Sequence, residues 1–222
     1  FPGGTANETQ RLWSTGYMPT NMQCWPQNRN YQPAFCGAEP TRILEQKESA
    51  GVCSDLTPVS LANGESCEAS CVSNLLCSSW QEAVTGNEDA LSQTQCYQGL
   101  GLDCFGNTSR AVSNAGRLQR GSYRVLAKLS KVQVMGLTKA FGAWNSSLGT
   151  TAQAIQHCSN VCVSILICQV WQYSTAEGCY IENPFLQSIS YPPTLETFVK
   201  GTPFAETVVA GSYLQRLCAG QE

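Results

Sequence analysis

The side chains in this sequence best suited to covalent or metal chemistry are thirteen cysteines and one histidine, His157. A thiol can serve as a nucleophile beside a histidine, as a metal ligand once deprotonated, or as half of a disulfide. A Cys–His dyad or hydrolytic triad would have to use His157, which adjoins Cys158. That histidine reads instead as a polar residue on the flank of a helix. Zinc is disfavoured because the sequence has no C-x2-C pair and only one imidazole. Disulfides remain, and thirteen cysteines in 222 residues is a density that a reducing cytosol rarely tolerates. The expected setting is extracellular or secreted, or another oxidising lumen such as that of the thylakoid.

Other patterns that could support chemistry have plainer readings. Glu88-Asp89 is an acidic pair in a long loop, where a solvated role is expected. Gly99-Leu-Gly101-Leu-Asp-Cys-Phe-Gly106 has the glycine content of a phosphate loop but lacks G-x-G-x-x-G spacing, and Cys104 within it suggests a stapled turn. Trp80 and Trp171 read as large core side chains in preference to ligand-stacking platforms. No catalytic residue, metal or cofactor is expected.

The elements that hold these residues repeat. Cys67-x3-Cys71-x5-Cys77-x2-Trp80-Gln81, followed by Cys96-Tyr97, returns as Cys158-x3-Cys162-x5-Cys168-x2-Trp171-Gln172, followed by Cys179-Tyr180. Gly121-Ser122-Tyr123 and Gly211-Ser212-Tyr213 follow the two copies at nearly the same offset, which argues for duplication of whole domains. The expected division is an irregular leader over 1–23, a first repeat over 24–129 and a second over 130–222.

In the second copy, Ala154, Ile155, Cys158, Val161 and Cys162 fall at helical spacing and form one apolar stripe. The run from Ser164 to Tyr173 is β-branched and aromatic, as a strand would be, and Gly178-Cys179-Tyr180-Ile181 reads as its hairpin partner. The first copy has the same order: a short helix through Cys67 and Cys71, a strand around Cys77 to Trp80, and a longer loop to Cys96. The segments starting at Ser122 and Ser212 are expected to close the two domains. Cysteines one helical turn apart project in parallel and cannot readily bond each other. Cys71 and Cys162 can therefore meet the cysteine that opens the next strand, and Cys67 and Cys158 the one on the hairpin partner.

The cassette resembles the PAN/apple domain family, whose hallmark is a helical C-x3-C, a cysteine and aromatic on the next strand, and a fourth cysteine on the strand after it. The resemblance implies the pairs Cys67–Cys96, Cys71–Cys77, Cys158–Cys179 and Cys162–Cys168. It also implies an α+β fold of two small disulfide-stapled domains, each with one helix packed on an antiparallel sheet. Adhesion and docking roles follow from the same resemblance. Apple domains add a bridge between their termini, and neither repeat has a clear pair for it. Cys24, Cys36, Cys53, Cys104 and Cys218 lie outside the cassettes, an odd number that leaves one thiol free, joined to another chain or paired beyond this segment.

Net charge is only −3, but no acid occurs between Cys104 and Ala176, where Arg110, Arg117, Arg120, Arg124, Lys128, Lys131 and Lys139 all lie. On a helix Arg117, Arg120, Arg124 and Lys128 would form a ridge; on a strand Arg124 and Lys128 would share a face. Such a stretch either docks an acidic partner or complements the acidic N-terminal half of the same chain. Sequons at Asn7, Asn107 and Asn145 fit a glycosylated secreted protein. The start at Phe1 reads as a mature segment, and no stretch is long and apolar enough to span a membrane. The expected function is non-enzymatic binding or adhesion to a protein or carbohydrate, with no nucleic acid involved. The alternative is an accessory subunit docked on the lumenal or extracellular side of a membrane complex.

Overall fold

The computed structural model describes residues 40–45, 52–74, 76–85, 93–104, 112–120, 122–144, 149–165, 168–182 and 198–217. The fold is α+β and mainly β. Two five-stranded antiparallel sheets carry it, each built with the same strand order.

The first sheet contains β1 (Pro40–Glu45), β2 (Thr57–Val59), β3 (Ser79–Thr85), β4 (Gln93–Gly99) and β5 (Val112–Arg120), in the order β1-β5-β3-β4-β2. Its helix, α1 (Cys67–Ser73), begins where the Ser66 side chain accepts from the Ala69 amide. It ends at Asn74, whose amide bonds the carbonyls of Ser70 and Cys71. Two turns are too few to persist in isolation. Cys67 is bonded to Cys96 on β4, and Cys71 to Cys77 just before β3, so each turn has its own covalent anchor. Chain-entropy arithmetic assigns about 2 kcal/mol to a six-residue loop and roughly 4 kcal/mol to one of 51 residues, such as that between Cys53 and Cys104.

The second sheet contains β6 (Ser122–Lys128), β8 (Thr138–Phe141), β9 (Val170–Ser174), β10 (Gly178–Ile181) and β12 (Val208–Leu217), in the order β6-β12-β9-β10-β8. β7 (Gln133–Val134) and β11 (Phe198–Val199) pair separately, and α3 (Pro203–Thr207) leads into β12. The main helix, α2 (Thr151–Ser164), opens with a reciprocal cap. Thr150 accepts from the Gln153 amide, and the Gln153 side chain accepts from the Thr150 amide. Cys158 is bonded to Cys179 on β10, and Cys162 and Cys168 are both in disulfides.

The central strands of the two sheets, β3 and β9, bury residues on both faces. On the helix face Trp80, fully buried, packs with the stapled cysteines and Leu118. On the other face Ala83, Tyr97, Val112 and Ala115 are covered by the crossing segment of Val52, Cys53 and Leu56. The cassette glutamine fastens that segment in both units. Gln81 Oε1 accepts from the Cys53 amide at 2.7 Å, and Gln172 Oε1 accepts from the Val134 amide at 2.9 Å. Trp80 fits because Gly116 lies opposite it on β5: a Cβ there would stand 2.9 Å from the indole ring.

Two expectations about chain organisation change. β6 pairs with β12, so the strand expected to close the first repeat opens the second. Ser122-Tyr123 and Ser212-Tyr213 therefore lie on paired strands of one sheet, with Ser122 opposite Leu217 and Ser212 opposite Lys128. The first sheet closes instead with β5, which occupies the place of β12 in the shared strand order. The boundary near residue 130 moves to residue 121, and residues 160–165 group with the first compact unit. The second difference is where the strand after Ser164 begins: the helix reaches Ser164, and the described part of the run that is a strand, β9, starts at Val170. The leader over 1–23 lies outside the described residues.

Non-reducing peptide mapping is expected to return Cys53–Cys104, Cys67–Cys96, Cys71–Cys77 and Cys158–Cys179, with Cys162 joined to Cys168 by analogy with the first unit. Recovery of Cys162 linked to Cys24, Cys36 or Cys218 would refute that last pairing. Replacing Gln81 with Leu leaves the buried Cys53 amide without an acceptor, and unfolding stability should fall by about 1–3 kcal/mol in urea titrations.

Candidate functional site

The basic stretch is the first place to look for a partner surface, and its residues fall into separate environments. Arg117 belongs to β5, opposite Ser79, and is only 2 % exposed. Its guanidinium donates to the carbonyls of Leu100, at 3.0 Å, and of Gly101. Gly101 has φ +64°, and a Cβ on it would stand 2.6 Å from Cβ of Ser79 and 2.8 Å from the guanidinium. Glycine is needed there for both conformation and space. Arg117 is thus an internal group and does not belong to a docking surface, because β5 is covered on both faces.

The same geometry settles the glycine-rich loop. A phosphate cradle points amide N–H groups inward. Here the loop turns two carbonyls toward a cation, and Cys104 ties it to Cys53.

Arg124 and Lys128 are exposed on β6, but they do not share a face. Val125 lies opposite Leu214 and Ala127 opposite Tyr213, which leaves Leu126 as an extra residue in a bulge. Arg124 is therefore opposite Gln215 and Lys128 opposite Ser212, positions of opposite parity on β12. Leu126 and Ala127 both pack toward the Tyr213 cluster, as a bulged pair would. The two cations flank the strand from either side. Among the described residues β6 pairs only with β12, so it forms an edge of the sheet. Exposed Val125, at 48 %, stands beside Arg124. Lys131 follows, also exposed, in a left-handed conformation with φ 53°. Its amide donates to the Val208 carbonyl at 2.9 Å.

Lys139 is engaged elsewhere. It forms an ion pair with Glu177 at 3.5 Å and lies over the Tyr180 ring. Arg120 ends β5 opposite Pro40 in the first sheet, so the four bases expected as a helical ridge are divided between two sheets. Arg110 lies outside the described residues, as do Asn7, Asn107, Asn145, Glu88-Asp89, Cys24, Cys36 and Cys218.

His157 is buried on α2, with ring centroids 5.2 Å from Phe141 and 5.9 Å from Trp144. Its neighbour Cys158 is oxidised, so this Cys–His pair has no thiol to activate. All ten described cysteines are in disulfides, and none of them offers a thiolate to a metal.

Sequence reasoning missed the interior role of Arg117. Strand alternation normally separates an exposed polar face from a buried one, and a strand covered on both faces removes that signal. The Cys53–Cys104 bond was also missed. Its trace in the sequence is that both cysteines occur only in the first repeat.

Substituting Arg117 with Met should lower unfolding stability by about 1–3 kcal/mol for each carbonyl left without its donor. Lys128→Ala should stay within about 0.5 kcal/mol of the parent. Urea denaturation under non-reducing conditions measures both, and an Arg117→Met chain as stable as the parent would contradict the buried assignment.

Comparison of the chain with protein-family models, with curated proteins and with solved structures finds no match.

Proposed function

We propose that this chain is a non-enzymatic binding protein of tandem PAN/apple-like modules that docks an acidic protein or glycan along β6. The observation that carries the reading is the edge strand itself. Arg124 and Lys128 are exposed on its two faces, Lys131 follows it, and the sequence from Cys104 to Ala176 contains no acid. An acidic segment could lie along β6, with the cations on either side of the strand setting its register. Cations on an edge also discourage pairing between copies of the same strand, so the surface favours an acidic partner over self-association.

The oxidised cysteines are compatible with an extracellular or lumenal setting, and no described helix is long and apolar enough to cross a membrane. Secretion and glycosylation at Asn7, Asn107 and Asn145 belong to the same proposal.

The test uses the whole oxidised chain and two immobilised probes, a sulfated glycan and a polyglutamate peptide. Binding to at least one is expected, weakening as salt rises. The triple variant Arg124→Glu, Lys128→Glu, Lys131→Glu should lose about tenfold or more in affinity, given about 1.4 kcal/mol per decade. Equal binding by parent and triple variant, or no binding by the parent to either probe, would reject the β6 surface. Recovery from the native source in a stoichiometric membrane complex would instead favour the accessory-subunit reading.

A further inference from the structure

Nine of the ten described cysteines are exposed by 2 % or less, and Cys104 is the exception. It is half-buried, packed against the cluster that contains its partner Cys53. Arg117 Nη2 lies 4.0 Å from its sulfur. The bond is also absent from the duplicated scaffold: the chain position held by Cys53 against Gln81 is held by Val134 against Gln172. It therefore differs from the cassette disulfides in access, in electrostatic surroundings and in its restriction to one unit.

We propose that Cys53–Cys104 is a thiol–disulfide exchange site, with Cys104 as the sulfur that meets an external thiol of the small, anionic class. Exchange requires a thiolate to approach one disulfide sulfur along the S–S axis, so access decides which sulfur is attacked. The external thiolate attacks Cys104 Sγ and forms a new S–S bond there. The Cys53–Cys104 bond breaks, its electron pair leaves on Cys53, and that sulfur takes a proton and remains as a buried thiol. A second external thiolate then attacks the outer sulfur of the mixed disulfide, forms the external disulfide and releases Cys104. One protein disulfide gains two electrons, two external thiols become one disulfide, and their two protons end on Cys53 and Cys104.

Arg117 favours the first step for a Coulombic reason. Negative charge in the transition state lies mainly on the attacking and leaving sulfurs, both joined to Cys104, the sulfur beside the guanidinium, so the cation acts on them at short range and draws the incoming thiolate toward Cys104. Opening the bond frees the end of the loop over 100–104. The bond between the Ser54 amide and the Asp103 carbonyl, and that between the Leu102 amide and the Asp55 carboxylate, still hold the loop to the segment before β2. The cassette staples are untouched, so the site can cycle without unfolding its unit.

The oxidised, undenatured chain is treated with limiting reduced glutathione, quenched with an alkylating reagent and peptide-mapped over time. Cys53 and Cys104 should be labelled about tenfold or more faster than any cassette cysteine, because exchange rates follow access. Labelling of a cassette pair first, or at the same rate, would overturn the proposal. A second arm compares glutathione with the cationic thiol cysteamine at equal thiolate concentration. Attraction by Arg117 predicts that glutathione is faster by about tenfold at low salt and that the advantage shrinks as salt rises. Equal or faster exchange by cysteamine would overturn the role of Arg117.

Discussion

The structure depends on covalent attachment of a helix to a sheet at successive helical turns. In the first unit α1 has seven residues, a length whose own hydrogen bonds do not offset the entropy of forming it. Cys67 and Cys71 transfer that cost to the unfolded chain, where each bond restricts loops that the native state has already closed. Once the helix is fixed, Trp80 has a ceiling as well as a floor, and Gly116 removes the side chain that would otherwise push it out. The second unit applies the same device to a longer helix, tied to its sheet by Cys158 and Cys179.

The other face of each sheet follows from the cassette too. Gln81 and Gln172 directly succeed the core tryptophans, so strand alternation aims them at the opposite face. There each amide oxygen receives a main-chain N–H from the crossing segment. One dipeptide thus serves two layers: the indole fills the helix side, and the amide fastens the cover on the far side. Its recurrence after both C-x2-W steps is a packing requirement.

Much of this was legible in the sequence, and the exceptions have physical causes. The fold class was readable because cysteine spacing, helical periodicity and the hairpin around Gly178 agreed with one another. The closing strand was misassigned because Gly-Ser-Tyr recurs in two strands that lie side by side, a similarity of sequence without equivalence of place. Arg117 was read as a surface cation because its partners are the carbonyls of Leu100 and Gly101 and the Ser164 hydroxyl, none of them an acid that the sequence would mark as its counter-ion. The bulge at Leu126 reversed the face of Lys128 relative to Arg124, and one unpaired residue in a strand has no compositional signature.

The shortness of the Cys71–Cys77 loop also bears on how the first unit reaches its native state. The six described cysteines between residues 53 and 104 could pair among themselves in about 15 ways, and closing one pair leaves about three. Loop-closure entropy favours the pair separated by six residues over those separated by 29 and 51. That pair joins the end of α1 to the start of β3, which positions the helix over the strand carrying Trp80. The disulfide with the shortest of these three loops therefore acts as a combinatorial filter, discarding most wrong connectivities before any distant segment has to arrive.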